Sequence, residues 1–138
     1  MQAEQNKSIA RRFSEEVING RSEAVLLEIM SEEYVEHGAA ADQPAGLEGF
    51  KQFLHMVSTA FPDIHVTVEE LIAEDDKVAV RLTVRGTHLG MLMVNIAPTG
   101  KRATWTGIDL LQFTGGKIVG RWSERNLLGL MRQSGVSA

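Results

Sequence analysis

Apolar residues in the first sixty or so positions recur at helical spacing, and after Pro62 the period changes to two. Between Asn6 and Asn19, the residues Ile9, Ala10, Phe13, Val17 and Ile18 alternate with charged ones until Asn19-Gly20 supplies a stop. This predicts an amphipathic first helix. A shorter second helix is predicted after Ser22, which can cap it, with Val25, Leu26, Ile29 and Met30 as its apolar stripe and an end near Ser31. Alanines, glycines and Pro44 crowd the stretch from Tyr34 to Gly46, which reads as a strand end or loop. Leu47, Phe50, Phe53, Leu54, Val57 and Phe61 then repeat every three or four residues, predicting a third helix broken by Pro62 and Asp63.

The period-two region begins with Ile64, Val66 and Val68, and continues with Val78, Val80, Leu82 and Val84 after the turn Asp75-Asp76-Lys77. A third strand is predicted from Arg102 to Phe113 after Pro98-Thr99-Gly100, and a fourth from Lys117 to about Arg125 after Gly115-Gly116. Helices first and hairpin-linked strands afterwards describe an α+β fold: helices against one face of a curved antiparallel sheet. With no internal repeat, low-complexity segment or linker, residues 1–138 read as one domain.

Composition narrows the function classes. Of 138 residues, 43% are hydrophobic and 23% charged, which suits a chain with a packed core. A net charge of -4 with scattered Lys and Arg offers no field for a phosphate backbone, so nucleic acid is not an expected partner. Cysteine is absent, which removes disulfides, thiolate nucleophiles and Cys-type zinc sites. The polar amino terminus and the lack of any run of about 18 apolar residues point away from a secretory leader or membrane span, and toward the cytoplasm. His37 and His88 lack the spacing and companions of a metal site, and the string from Gly86 to Gly90 lacks the order of a dinucleotide loop. Neither a metal nor a cofactor is expected.

An ordered set of short motifs is more specific. Tyr34-Val35-Glu36-His37, Gly49-Phe50-Lys51 and Ala60-Phe61-Pro62-Asp63 precede Gly86-Thr87-His88, Pro98-Thr99-Gly100-Lys101 and Thr106-Gly107-Ile108-Asp109. Gly116-Lys117-Ile118-Val119 and a Trp122-containing strand running into Leu127-Leu128-Gly129-Leu130 complete the set. Together they resemble the SnoaL-like polyketide cyclases of the nuclear transport factor 2-like superfamily. The resemblance implies a conical sheet closed by helices, a largely apolar pocket, a homodimer formed through the outer sheet face, and cofactor-independent aldol cyclisation of an aromatic polyketide ester. It also implies an acid/base aspartate four residues after the second tryptophan, where this chain has Asn126, and a companion histidine where it has Gln112. An amide neither takes nor gives a proton near neutral pH, so the chemistry must come from elsewhere or be absent.

Strand alternation puts Trp122, Glu124 and Asn126 on one face, the pocket face if the resemblance holds, and there Glu124 could replace the missing carboxylate; its alternative reading is a rim residue in water or paired with an Arg. His88 shares the parity of Val80, Leu82 and Val84 and reads either as an acid, base or carbonyl polariser, or as a histidine closing a hairpin. His37 could enter from the other side or be structural. Trp122, Gln112, Leu110, Ile108, Met91 and Phe53 are the expected substrate lining, while Arg81, Arg85 and Asp109 are expected to face outward. The sequence thus leads to a cyclase-type enzyme for a hydrophobic polycarbonyl or aromatic small molecule. Its rival is a non-catalytic binding or carrier domain that keeps the pocket and has lost the chemistry.

Overall fold

The computed structural model describes residues 2–37, 45–90 and 98–133, apart from the side chains of Leu127 and Met131. The predicted first helix begins earlier and changes pitch midway. Helix α1 (Gln2–Arg12) continues as a π-helical segment, Phe13–Asn19, whose exit is closed by the Gly20 N–H donating to the Glu15 carbonyl at 3.1 Å. Ser22 caps α2 (Glu23–Ile29) as expected, its hydroxyl accepting from the Val25 N–H. Met30, expected on that helix, instead opens β1 (Met30–Glu36). Helix α3 (Gly46–Ala60) follows, then β2 (His65–Glu74), β3 (Lys77–Thr87), β4 (Arg102–Thr114) and β5 (Lys117–Arg125). A short α4 (Leu127–Gln133), not foreseen in the sequence, closes the described chain and is fastened to β4 by reciprocal bonds between Gln133 and the Thr104 backbone.

Strands β2 to β5 form the expected antiparallel meander, and β1 adds to it in parallel beside β5, giving the order β1-β5-β4-β3-β2. The early helices cover one face of this sheet. Val78, Val80, Leu82 and Val84 of β3 and Ala103, Trp105, Leu111 and Phe113 of β4 point toward them and join Phe13, Phe50 and Tyr34 in one buried cluster. Phe50 stands between Phe13 and Tyr34, with ring centroids 5.6 and 5.5 Å away, so the π-helical segment, α3 and β1 meet at one aromatic stack. Asn19 ties the helical layer to the sheet by donating to the Val66 carbonyl and accepting from its N–H, at 2.8 and 2.7 Å.

One local irregularity decides which side chains enter the interior. Phe113 pairs with Ile118, but Gln112 pairs with Gly120, so Val119 is an extra residue in β5. Such a bulge reverses the facing of everything beyond it. Ile118 is buried toward the helices, and without the bulge Trp122 and Glu124 would be too. Instead Arg121, Ser123 and Arg125 face inward, opposite Leu111, Asp109 and Gly107.

Candidate active site

On the helix-facing side of β4 and β5, the sheet carries charges where a core would normally be apolar. Asp109 and Arg121 are each 2% exposed, and Glu36, at the end of β1, is brought beside them by the parallel pairing of Glu36 with Arg121. Arg121 donates from Nη1 to Glu36 Oε1 at 2.8 Å and from Nη2 to Ser123 Oγ at 3.3 Å. Its Nε lies 3.4 Å from Asp109 Oδ2, an ion-pair distance without the alignment of a hydrogen bond. Arg125 grips the same carboxylate with both terminal nitrogens, at 2.8 and 3.4 Å. The Tyr34 hydroxyl donates to Glu36 Oε1 at 2.7 Å. Two guanidinium groups and two carboxylates thus balance in charge.

The surroundings are aromatic. The Arg121 guanidinium carbon lies 5.7 Å from the ring centres of both Phe13 and Phe50 and 5.9 Å from that of Phe53, so its charge is met by π faces as well as by carboxylates. Burial pushes the Asp109 carboxyl up, but Arg121 and Arg125 outweigh it and hold the group below its ordinary value. Burial likewise opposes the Arg121 charge, and Asp109 and Glu36 more than restore it. Burial raises the Tyr34 phenol far above its usual range, so it remains a neutral donor. Near neutral pH this arrangement is a fixed array of charges that can orient and stabilise a developing oxyanion. Arg125, with 19% of its side chain exposed, is its accessible edge.

The structure redistributes the residues expected from sequence. Trp122, Glu124 and Ile108 are exposed on the sheet face turned away from the helices, with half-buried Leu110 and Gln112 beside them. Their predicted pocket-facing placement is therefore corrected, in β5 because of the bulge. In β4 it is corrected because the interior face is the one carrying Trp105, Leu111 and Phe113. His37 lies on that same outer face, its ring stacked on Trp122 at 4.0 Å and 5°. Gln112 donates to Asp76 in the β2–β3 turn. Asn126 is exposed and its carbonyl oxygen accepts from the Gly129 N–H at 3.0 Å, so it serves as a cap on α4.

His88 is the expected proton-transfer residue that does enter the interior. It is fully buried, packs 5.5 Å from the Phe61 ring, and shares a hydrogen bond between Nδ1 and Thr99 Oγ1 at 3.1 Å. Its Nε2 has no partner among the described residues. Phe53 is half-buried beside Arg121, and Met91 lies outside the described residues. Arg81 and Arg85 face outward as read from sequence, but Asp109 does not. Asp109, Arg121, Glu36 and Tyr34 were missed as a group because a charge on a strand reads as solvent-facing. The available signal was that Asp109 shares its parity with Trp105, Leu111 and Phe113. Among the described residues, no group of three or more His, Asp or Glu is placed to hold a metal ion, and no helix is long and apolar enough to cross a membrane.

A five-stranded curved sheet with its helices before it, and polar chemistry set into the covered face, defines an α+β fold of the nuclear transport factor 2-like type. Solved structures share it. TsrD from Streptomyces laurentii is 24% identical, with each chain 99% covered and a TM-score of 0.89. AclR from Streptomyces galilaeus, a candidate hydroxylase, is 27% identical over 96% of this chain and 82% of its own, with a TM-score of 0.81. IdmH from Streptomyces antibioticus, a candidate polyketide cyclase, is 26% identical over 96% of this chain and 99% of its own, with a TM-score of 0.81. No curated protein matches the sequence. The model of the SnoaL-like polyketide cyclases matches residues 8–134, and the chain belongs to that family.

Proposed function

We propose that this protein is a cofactor-independent cyclase-type enzyme that performs acid/base chemistry on a hydrophobic polycarbonyl or aromatic small molecule. The observation that carries the reading is the charge-balanced cluster of Asp109, Arg121, Glu36 and Arg125, with the buried Arg121 guanidinium set among Phe13, Phe50 and Phe53. Burying ions costs several kcal/mol each, roughly, so such a cluster in place of apolar residues favours a role in chemistry over one in stability. In the proposed reaction a proton leaves the carbon between two carbonyls, and the resulting enolate carbon attacks a second carbonyl of the same molecule. Arg125 anchors a distal carbonyl oxygen of the substrate, while Arg121 and Asp109 hold Arg125 in place. His88, whose unpartnered interior nitrogen stands six residues past Leu82 of β3, the residue level with Arg125, is the proposed group that takes that proton and returns it to the new alkoxide.

Incubation with flat polyketide-like ketoesters, followed by chromatography and mass spectrometry, tests this. The expected product has unchanged mass and a shifted retention time, and its formation falls by about two to four orders of magnitude in His88→Ala and comparably in Asp109→Asn. Undiminished product in both variants would overturn the reading.

One observation favours the alternative of a binding or carrier domain. Asn126, at the position where the resemblance implies an acid/base aspartate, is engaged as the α4 cap. Saturable binding of product-like compounds with no conversion of any related precursor selects that alternative. In either case the outer sheet face, with Ile72, Ile108 and Trp122 exposed and Leu110 half-exposed, is proposed to pair with a second copy of the chain.

A further inference from the structure

The π-helical segment, α2 and α3 enclose a groove of about 360 Å³ that shares no lining residue with the ionic cluster. Its walls are Val17, Ile18, Leu26, Leu54, Val57 and Ile64. Arg21 and Lys51 stand among its lining residues with Glu23, which accepts from Lys51 at 3.2 Å. The volume is at the small end of the range for small-molecule sites. Two features shape this groove at some conformational cost. The chain uses a π-helix, a rare form found often at functional sites, to present Val17 and Ile18. It then holds Arg21 at a φ of 52°, a left-handed conformation disfavoured for a residue with a Cβ, while the side chain donates to the Pro62 carbonyl across the groove's edge.

We propose that this groove is a second binding site, selective for a small amphipathic monocarboxylate. The apolar walls take the hydrocarbon, and the carboxylate meets Lys51 and the remaining N–H groups of Arg21. Counting Arg21, Lys51 and Glu23, the formal charge on the rim is one positive unit, which a monoanion neutralises. Since the Lys51–Glu23 pair is a partly exposed ion pair worth little by itself, exchange of Glu23 for a ligand carboxylate costs little. The site stands independently of the proposed reaction, so loss of turnover in a variant of the ionic cluster leaves it intact.

Octanoate and its uncharged analogue octanamide are the probes, titrated into the full chain with affinity read by calorimetry and location by methyl chemical shifts. Octanoate is expected to saturate with a Kd of about 1 mM or below, with shifts at Ile18, Leu54 and Val57, and octanamide to bind about fivefold more weakly. Lys51→Gln should bring octanoate down to the level of octanamide and leave the amide unchanged. Leu54→Trp, which fills the groove, should abolish binding of both, and Asp109→Asn should abolish neither. Absence of saturable binding, shifts centred on Val80 and Leu111 instead, or equal octanoate affinity in wild type and Lys51→Gln would each overturn the proposal. Because Lys51 is a rim residue outside the buried core, that last comparison remains decisive if Leu54→Trp does not fold.

Discussion

The two faces of the sheet reverse the usual distribution of polarity. The helix-covered face buries Asp109 and Arg121 at 2% exposure each, while the open face leaves Ile72 59%, Ile108 53% and Trp122 38% exposed. A sheet built for stability alone would exchange these sets, since buried ions return at best what their desolvation costs and exposed apolar area returns nothing. Both departures mark work for the surface concerned. On the covered face the proposed work is chemical, because fixed charges under aromatic rings act most strongly where water is excluded. On the open face the proposed work is association with a second copy.

The sharpest way to break the comparison is to remove one ion from the covered face. Arg121→Met keeps much of the volume but leaves Glu36 and Asp109 short of their central partner, and breaking such a buried set costs about 3–5 kcal/mol. Chemical denaturation should show that loss. The double variant Arg121→Met, Asp109→Leu should recover part of it, because the second change removes one of the stranded carboxylates. Full recovery of stability with unchanged turnover would show that the ions were dispensable and would reduce the covered face to an ordinary core.

Acid unfolding gives a second contrast. The folded Asp109 carboxyl titrates below its unfolded value of about 3.9, because Arg121 and Arg125 outweigh its burial. Its contribution to stability is therefore fully present above that value and is lost as the pH falls through the lower folded one. Asp63 is also lowered, by the N–H and hydroxyl of Thr87, but it is exposed. Melting temperature followed against pH should fall steeply below about pH 4 in the wild type. It should flatten more in Asp109→Asn than in Asp63→Asn.

How much of this was legible in the sequence follows from where periodicity survives. The third helix, the four meander strands and the turns at Asp75-Asp76 and Gly115-Gly116 carry uninterrupted spacing, and they stand close to where it puts them. The parallel pairing of β1 with β5 is invisible to local pattern, and with it goes the meeting of Glu36 and Arg121 across 85 residues. The bulge at Val119 is equally hidden, since counting alternate residues from Ile118 puts Trp122 and Glu124 inside. His88 escaped that error because β3 runs from Val78 to Thr87 in unbroken register with β4. Alternation was a sound guide to the interior in β3 and misled in β5.

The open face can be tested without disturbing the interior. Ile108→Lys adds a charge where the side chain is already 53% exposed, so thermal stability of the isolated fold should change by no more than about 0.5 kcal/mol. Sedimentation should nevertheless show a shift from dimer to monomer. The ring stack of His37 on Trp122 belongs to the same surface, and Trp122→Ala should act in the same direction more weakly. A monomer in the wild type would detach the exposed apolar residues from self-association, leaving the covered face unaffected.

The smallest effect is expected at Asn126, which belongs to neither face. Its carbonyl oxygen caps the Gly129 N–H at the start of α4, and replacement of such a cap by alanine costs about 1 kcal/mol. Asn126→Asp keeps the acceptor and adds a charge at a helix start, so stability should hold or rise slightly. Turnover gives the more informative reading. If the covered-face cluster and His88 carry the reaction, Asn126→Asp should leave the rate within a factor of about two, since no proton-transfer group is gained where one is needed. If the chain is instead a carrier that lost its chemistry at this position, the same change should create product formation where the wild type shows none. One substitution, assayed with the same ketoesters, thereby separates the two functional readings.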